Sequence, residues 1–294
     1  MNKKKILGII GGSGLYDIDG LVNKKWVKVN SIFGEPSDEI LFAELDDLEI
    51  RFLPRHGRGH LLTPSEINYK ANIEALKKIG VTEIISISAV GSLREDYVPG
   101  DFVLVDQFVD RTHSRKSTFF QNGLVAHVSM AHPVCSRNGS HILEAAKHES
   151  IKIHEKGTYI VMEGPQFSTK AESEIYRKWE CDVIGMTNMP EAKLAREAEI
   201  CYTSVAMVTD FDCWHPNHEN VTVDAIIKVL TANAANAKKL IKRFVPFFLN
   251  DNNSENCTCK KALDNAIITS PGMRSKEVMD KLSSILTRLN YNSN

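Results

Sequence analysis

Short apolar segments alternate with amphipathic segments along the chain, and this alternation restricts the fold more than any other feature. Aliphatic and β-branched residues dominate positions 5–10, 50–54, 83–90, 101–109, 158–162 and 200–209. Apolar residues outside these segments recur at helical spacing, as in Ile226, Leu230, Ala234 and Ala237. Strands that alternate with helices form a sheet covered by helices. The sequence therefore predicts an α/β fold: a central, mixed, mostly parallel twisted sheet flanked by helices.

Length and charge limit the domain count and the partners. The chain has 294 residues, and its 36 Lys and Arg balance 37 Asp and Glu to a net charge of −1. Without a basic field we expect no binding to nucleic acid or to a membrane surface. The apolar run at 6–10 is too short for a signal peptide, and no segment approaches the ~20 apolar residues of a membrane span. We expect one cytoplasmic domain over 1–294, with 257–294 as its helical C-terminal extension.

The cysteine pattern does not indicate a disulfide scaffold. Four of the six cysteines are interpreted as small core residues: Cys135, Cys181, Cys201 and Cys213. Cys257 and Cys259 form a CxC pair, for which a disulfide, a redox role and a reduced state all stay open. Because the chain contains no CxxC pair, its spacing does not favour zinc, and we expect no metal.

Two loops that follow strands carry groups suited to an anion. The glycines of "GGSG" at 11–14 allow backbone N–H groups to converge, and Ser13 adds a hydroxyl. This loop matches neither GxGxxG nor the lysine-bearing phosphate loop, which disfavours dinucleotides and nucleoside triphosphates. "PRHGRGH" at 54–60 places Arg55 and His56 after another strand, where a guanidinium and an imidazole could donate to phosphate. Together the loops favour a phosphate site over two solvated turns.

Three further strand ends offer groups for an organic ligand. The small residues at 88–92, including Ala89, would let a ligand approach the backbone amides. Phe167 could stack on a flat ring and Ser168 could bond to its edge. Met186 and Thr187 suit one face of a sugar and its hydroxyls. Each feature taken singly also fits ordinary packing or helix capping.

Two carboxylates end the longest strand, in the sequence "TDFDCW". Isolated acids usually face solvent, but Asp210 and Asp212 follow an apolar run. A carboxyl in a dry pocket has a raised pKa, because desolvation disfavours the charged form. Such a group can act as a general acid near neutral pH. We therefore predict that both residues are catalytic.

These segments, taken in order, resemble the methylthioadenosine phosphorylases of the trimeric purine nucleoside phosphorylase family. The similarity runs from about residue 6 to 240. It is carried by "IGGSGL", "LPRHGRGH", "NYKANIEALKKIG", "SAVGSLRED", "PGDFVLVDQFVDRT", "EGPQFSTKAE", "MTNMPEA" and "TDFDCW". The resemblance implies a single-domain phosphorylase/hydrolase-like fold that assembles as a trimer or a dimer of trimers.

The resemblance also implies a reaction, in which inorganic phosphate attacks the anomeric carbon of 5′-deoxy-5′-methylthioadenosine. Adenine leaves, and 5-methylthioribose 1-phosphate forms with inversion. Phosphate is a co-substrate, and no organic cofactor or metal is implied. The implied phosphate ligands are Ser13, Arg55, His56, Ala89 and Thr187.

The resemblance assigns the nucleoside contacts as well. Asp210 would donate to N7 of the purine, and Asp212 would accept from its exocyclic amine. The other implied contacts are Phe167 and Ser168 at the base, Met186 at the ribose, and His127, Val223 and Ile227 at the methylthio group. His127 would reach in from a neighbouring subunit. A 6-oxopurine would present an acceptor to these carboxylates, so adenine is favoured over hypoxanthine.

Alternatives remain within and outside this class. The substrate could be another purine nucleoside, such as adenosine or methylthioinosine. A nucleosidase would use water, but water does not need the anion site predicted around Arg55 and His56. A nucleoside-binding protein without turnover would not need a general acid, and Asp210 disfavours it.

Overall fold

The computed structural model describes residues 5–12, 14–216 and 223–289, with side chains from residue 227 onward in the last range. Its strands are β1 Ile6–Gly11, β2 Val22–Val27, β3 Ile40–Leu45, β4 Leu48–Pro54, β5 Glu83–Ser92, β6 Phe102–Val105, β7 Gln107–Asp110, β8 Ile153–His154, β9 Thr158–Val161, β10 Val183–Gly185 and β11 Cys201–Asp210. Its α-helices are α1 Tyr69–Lys78, α2 Ser136–His148, α3 Lys170–Lys178, α4 Asn188–Glu197, α5 Val223–Leu249 and α6 Lys276–Lys281.

All of these strands join one sheet, with β5 at its centre. The order is β2-β3-β4-β1-β5-β10-β9-β7, and β11 pairs with the other edge of β5, followed by β6 and β8. β5 runs parallel to β1 and β11 but antiparallel to β10. The predicted mixed α/β sheet flanked by helices is therefore confirmed.

Both faces of the central strands are buried, because successive side chains alternate between them. Val205 and Met207 of β11 pack with α2 and α5, whereas Ala206 and Val208 pack with α1 and α4. This burial on both faces explains why the sequence of β11 contains a continuous apolar run and does not alternate with polar residues. It also leaves the strand ends as the places where polar side chains can gather.

Local sequence signals set several helix boundaries that matter for ligand loops. α3 begins with a capping box, in which Thr169 and Glu172 bond each other's backbone N–H groups. α1 begins after Asn68, whose side chain accepts from the Ala71 N–H. The caps therefore fix the residue at which each preceding loop ends and its helix begins.

The chain beyond α5 packs back onto the body of the protein. It consists of short 3₁₀ turns and α6, and its Leu263, Leu282, Ile285 and Leu286 are buried in the same cluster as α1 and α4. Arg288 pairs with Glu199 at 2.7 Å. Within the described part of the chain, no helix has the length and apolar character needed to cross a membrane.

Candidate active site

A recess lies beside β5, between the stretches of one edge that pair with β1 and with β10. β1 pairs with β5 as far as Ile10 and Ser86, and β10 rejoins the same edge only at Gly91. Ala89 lies in this interval and is the one exposed residue of β5. An exposed position in a central strand marks an opening at which a ligand can reach the backbone. The interval lies toward the carboxyl end of β5, where open α/β sheets bind ligands.

A β-bulge brings the Asp210 carboxyl to this recess. The pairing of β11 with β5 shifts between Val208 and Asp210, so that Asp210 lies opposite Gly91. A Cβ atom built on Gly91 would be 2.9 Å from Asp210 Oδ1. Gly91 and Ala89 point to one face of β5, about 7 Å apart along the strand. The carboxyl and the exposed Ala89 are therefore near enough for one ligand to span both.

The two acids are fixed by different partners. The Asp212 N–H donates to Asp210 Oδ1 at 2.8 Å, and Thr209 Oγ1 lies 2.7 Å from Asp210 Oδ2. The Ser168 hydroxyl lies 3.0 and 2.9 Å from the two carboxyl oxygens of Asp212. Burial raises the pKa of Asp210 and also that of Asp212. The structure thus places both acids in the dry setting that the sequence predicted, and Ser168 with them.

Gly91→Ala is expected to lower kcat/KM of the reaction that the resemblance implies about 10-fold or more, because an added methyl group must displace the Asp210 carboxyl. The variant should otherwise fold, at a cost of about 1–3 kcal/mol for overpacking. Steady-state kinetics and thermal unfolding would measure the two effects separately. Gly272→Ala is the matched control, since a Cβ there meets no atom within 4 Å. Unchanged kinetics of Gly91→Ala would refute the close approach of Asp210.

Arg55 lies at the inner wall of the recess and is held by a buried ion pair. Its Nε donates to Glu191 Oε2 at 2.9 Å and its Nη2 to Glu191 Oε1 at 3.1 Å. Its Nη1 donates to the Ile87 carbonyl at 2.9 Å, within the interval between β1 and β10. Ser86 and Tyr202 hydroxyls bond to the same carboxylate at 2.6 and 2.8 Å. Arg55 is thus largely occupied by internal partners, and direct donation to phosphate stays a prediction.

His56 has a tautomer set by the backbone. Its Nδ1 lies 2.9 Å from the Leu62 carbonyl, which can only accept, so Nδ1 carries the proton. Burial lowers the pKa of His56 to about 4, and the ring is neutral near pH 7. Its Nε2 is then an acceptor, suited to a protonated oxygen of a phosphate ion. The sequence interpretation treated His56 as a donor, and the geometry favours the opposite role.

Three further hydroxyl groups lie together near β5, those of Ser88, Tyr159 and Thr187. Thr187 is buried at the first turn of α4, and its side chain does not cap that helix. Ser88 Oγ and Tyr159 Oη are buried, and the Tyr159 hydroxyl faces the side chains of Ser88 and Thr187. A bound ligand could exchange hydrogen bonds with this group of hydroxyls. Ser13 lies outside the described residues, so its predicted role is unchanged.

The remaining base and ribose candidates lie on two loops that one arginine joins. Arg115 donates to the carbonyls of Met186 and Met189 at 2.6 and 2.7 Å and to that of Glu163 at 2.6 Å. It thereby ties the loop that contains Phe167 and Ser168 to the loop that contains Met186. Phe167 is half-exposed, so its ring is accessible for stacking on the flat ring of a ligand.

The methylthio candidates lie on other elements of the chain than the acids do. His127 is exposed, and its described backbone contact is to Ala266 at 2.9 Å. Ile227 is 51% exposed on the first turns of α5. The Val223 side chain lies outside the described residues. Their assignment to the methylthio group stays a prediction.

Sequence reasoning missed the two residues that hold the site together. Glu191 supports Arg55, and Arg115 supports two loops, yet neither touches the recess as a ligand would. Glu191 stands within "MTNMPEA", five residues after Met186, whereas Arg115 stands in the polar stretch "THSRKST". Neither position carries a local signal of its role, because the partner of a charged side chain cannot be deduced from spacing.

A separate cleft of about 860 Å³ offers less chemistry. Its Arg94 is already neutralised, because it pairs with Asp96 at 2.8 Å and with Asp182 at 3.1 Å. The recess, with its hydroxyl groups and protonatable carboxyls, is the better reaction site.

Comparison with known proteins agrees with this geometry. The chain belongs to the phosphorylase superfamily, whose family model matches residues 6–246. It is 56% identical to an S-methyl-5′-thioadenosine phosphorylase of Rhodospirillum rubrum over 293 residues, 98% of each chain. A protein of the same name from Cereibacter sphaeroides is 53% identical over 97% of this chain and 99% of its own length.

Solved structures of methylthioadenosine phosphorylases have the same fold as this chain. A methylthioadenosine phosphorylase from an antarctic soil metagenomic library superimposes with a TM-score of 0.90 at 49% identity, covering 96% of this chain and 99% of its own. The methylthioadenosine phosphorylase of Schistosoma mansoni in complex with adenine has a TM-score of 0.84 at 35% identity, covering 90% and 99%. The family resemblance seen in the sequence is therefore confirmed.

Proposed function

We propose that this protein catalyses the phosphorolysis of 5′-deoxy-5′-methylthioadenosine to adenine and 5-methylthio-α-D-ribose 1-phosphate. The observation that carries the proposal is the pair of the partly buried Asp210 and the buried Asp212, which a β-bulge and Gly91 place beside the recess at Ala89. Full-length relatives with more than half of their residues identical to this chain bear the name of this activity.

The acids suit the leaving group. Cleavage of the N-glycosidic bond leaves negative charge on the purine, and a proton from Asp210 to N7 neutralises it. The raised pKa of Asp210 keeps that proton available. Asp212, oriented by the Ser168 hydroxyl, accepts from the exocyclic amine of adenine. The carboxyl pair thus selects a 6-aminopurine and activates its departure.

The recess suits the nucleophile. A phosphate ion at Ala89 would meet the Thr187 and Ser88 hydroxyls and the Nε2 acceptor of His56. Its negative charge would stabilise the positive charge that develops on the ribose, an effect typically worth a few kcal/mol. Inorganic phosphate is the co-substrate, and the reaction needs no organic cofactor. A nucleosidase, which activates water, has no use for such a recess.

The proposal includes an oligomer in the cytoplasm. A trimer, or a dimer of trimers, would let His127 of one subunit border the methylthio group bound by the next. Exposure of His127 supports this arrangement, because a residue that serves a neighbour's site must lie at the surface. The 5′ pocket would favour methylthio over hydroxyl by roughly 1–3 kcal/mol, so adenosine should be a slower substrate.

The decisive experiment measures adenine release from 5′-deoxy-5′-methylthioadenosine with and without inorganic phosphate. We expect release only with phosphate, with 5-methylthioribose 1-phosphate as the co-product detected by ³¹P NMR. Release without phosphate would indicate a nucleosidase. No release, together with ligand binding in calorimetry, would indicate a nucleoside-binding protein.

A further inference from the structure

Four cysteines that are distant in sequence converge at one point of the fold. The sulfur atoms of Cys135, Cys201, Cys257 and Cys259 all lie within 4.8 Å of one another. Cys135, Cys201 and Cys259 are buried, and Cys257 is partly exposed. Sequence spacing gave no sign of this cluster, because only the CxC pair is local.

Three separate elements supply the sulfur atoms. Cys135 precedes the first turn of α2, Cys201 opens β11, and the CxC pair lies in the 3₁₀ turns that follow α5. β11 ends at Asp210, nine residues beyond Cys201, which in a strand is a distance of about 30 Å. The cluster therefore lies at the far end of the central strand from the carboxyl pair.

We propose that these four cysteines, as thiolates, bind a single Zn²⁺ ion in a tetrahedral structural site. Zn²⁺ prefers four thiolates at about 2.3 Å, which sets sulfur atoms about 3.8 Å apart. The Sγ atoms of Cys135 and Cys257 are 3.6 Å apart. The cluster is thus close to the size that the ion requires, and small side-chain movements complete it.

The arrangement of four sulfurs distinguishes a metal site from paired disulfides. A disulfide requires one sulfur neighbour at about 2.05 Å for each cysteine. Here every sulfur lies within 4.8 Å of the other three, as expected for four ligands of one common ion. All six cysteines of the chain are free thiols in this structure.

The surroundings suit a site with net negative charge. Binding proceeds as Zn²⁺ + 4 RSH → [Zn(SR)₄]²⁻ + 4 H⁺, so two negative charges must be accommodated. The Arg137 Nη2 donates to the Cys201 sulfur at 3.7 Å, and Lys260 adjoins Cys259. The N-terminus of α2 behind Cys135 also favours a thiolate.

A buried carboxylate balances part of this cationic group. Glu83 Oε2 accepts from Arg137 at 2.7 Å, and Glu83 Oε1 lies 3.5 Å from Lys260. The polar groups around the sulfurs are therefore connected, as is usual for the surroundings of a metal ligand set. The partly exposed Cys257 provides a route for the ion to enter.

The proposed ion would fasten the C-terminal segment to the centre of the sheet. Its ligands come from α2, the start of β11 and the chain beyond α5, and the ion would add to the contacts that already join them, such as the ion pair of Arg137 with Asp251. We expect that removal of the ion lowers the thermal midpoint by about 5 °C or more. Since the carboxyl pair lies at the other end of β11, the ion takes no part in catalysis.

The test is the metal content of the full-length protein, purified under reducing conditions without chelator. Mass spectrometry of the elements should give about one Zn²⁺ per chain. After exchange, Co²⁺ should show the ligand-field bands of a tetrahedral ion and thiolate-to-cobalt charge transfer. Cys257→Ser, at the least buried ligand, should reduce the Zn²⁺ content below about 0.2 per chain. Cys181→Ser, a buried cysteine outside the cluster, should leave it unchanged.

Two results would overturn the proposal. One is wild-type protein that lacks Zn²⁺ and gives no cobalt thiolate spectrum. The other is an intact mass of the non-reduced protein that is lower by the hydrogens lost in disulfide formation among these four residues. The wild-type measurements decide the matter even if Cys257→Ser does not fold.

Discussion

Asp210→Asn is expected to lower kcat for adenine release about 10²–10⁴-fold while substrate binding changes only a few-fold. The amide keeps the shape of the side chain and can still donate to N7, but it cannot transfer a proton. The Asp212 N–H can still bond to the remaining carbonyl oxygen, as it does to Asp210 Oδ1. Transition-state stabilisation is lost, whereas the contacts of the ground state remain.

The pH dependence of kcat gives an independent check on the same residue. Because burial raises the pKa of Asp210, the proton is lost as pH rises through that value. Wild-type kcat should fall along this limb, and the limb should be absent from Asp210→Asn. A small loss of kcat with an unchanged profile would mean that another group protonates the purine.

Folding is not expected to suffer from this substitution. A carboxyl whose pKa is raised in the folded state destabilises the fold as pH rises from its unfolded value through its folded value. The neutral amide removes that penalty, so the thermal midpoint at pH 7 should be equal or higher. Asp96→Asn, at an exposed pair with Arg94, is the matched control and should leave kcat unchanged.

Glu191→Gln is expected to have the largest effect on stability, a loss of about 3–5 kcal/mol in the free energy of unfolding. Glu191 and Arg55 have side-chain exposures of only 2% and 3%. Without the carboxylate, the guanidinium is left as an uncompensated charge in the protein interior. Arg55 should shift within the recess, and the KM for phosphate should rise with it.

Chemical denaturation and phosphate saturation kinetics would measure these two effects. Asp96→Asn again serves as the control, since exposed pairs contribute about 1 kcal/mol or less. The double variant Arg55→Met with Glu191→Leu should recover much of the stability, because both buried charges are gone. It should not recover phosphate use. A loss below about 1 kcal/mol for Glu191→Gln would show that the pair does not support the site.

Local sequence was enough to determine the fold class and to single out Asp210 and Asp212 as candidate acids. The spacing of apolar residues that predicts strands and helices involves only residues close in sequence. The α/β fold follows from the alternation of these two spacings. Asp210 and Asp212 are two residues apart at a strand end, and their burial follows from the apolar strand that precedes them. The Thr169 cap similarly fixes the loop that carries Ser168.

Only the tertiary structure decided which charges neutralise each other and how the acids are aimed. Arg55 and Glu191 are 136 residues apart, and the bulge that turns Asp210 toward Gly91 depends on the register between β11 and β5. The four clustered cysteines are spread from 135 to 259 and meet only because α2, β11 and the C-terminal turns pack together. Periodicity is a property of neighbouring residues, whereas such pairings depend on strand register and chain crossing, which no local pattern encodes.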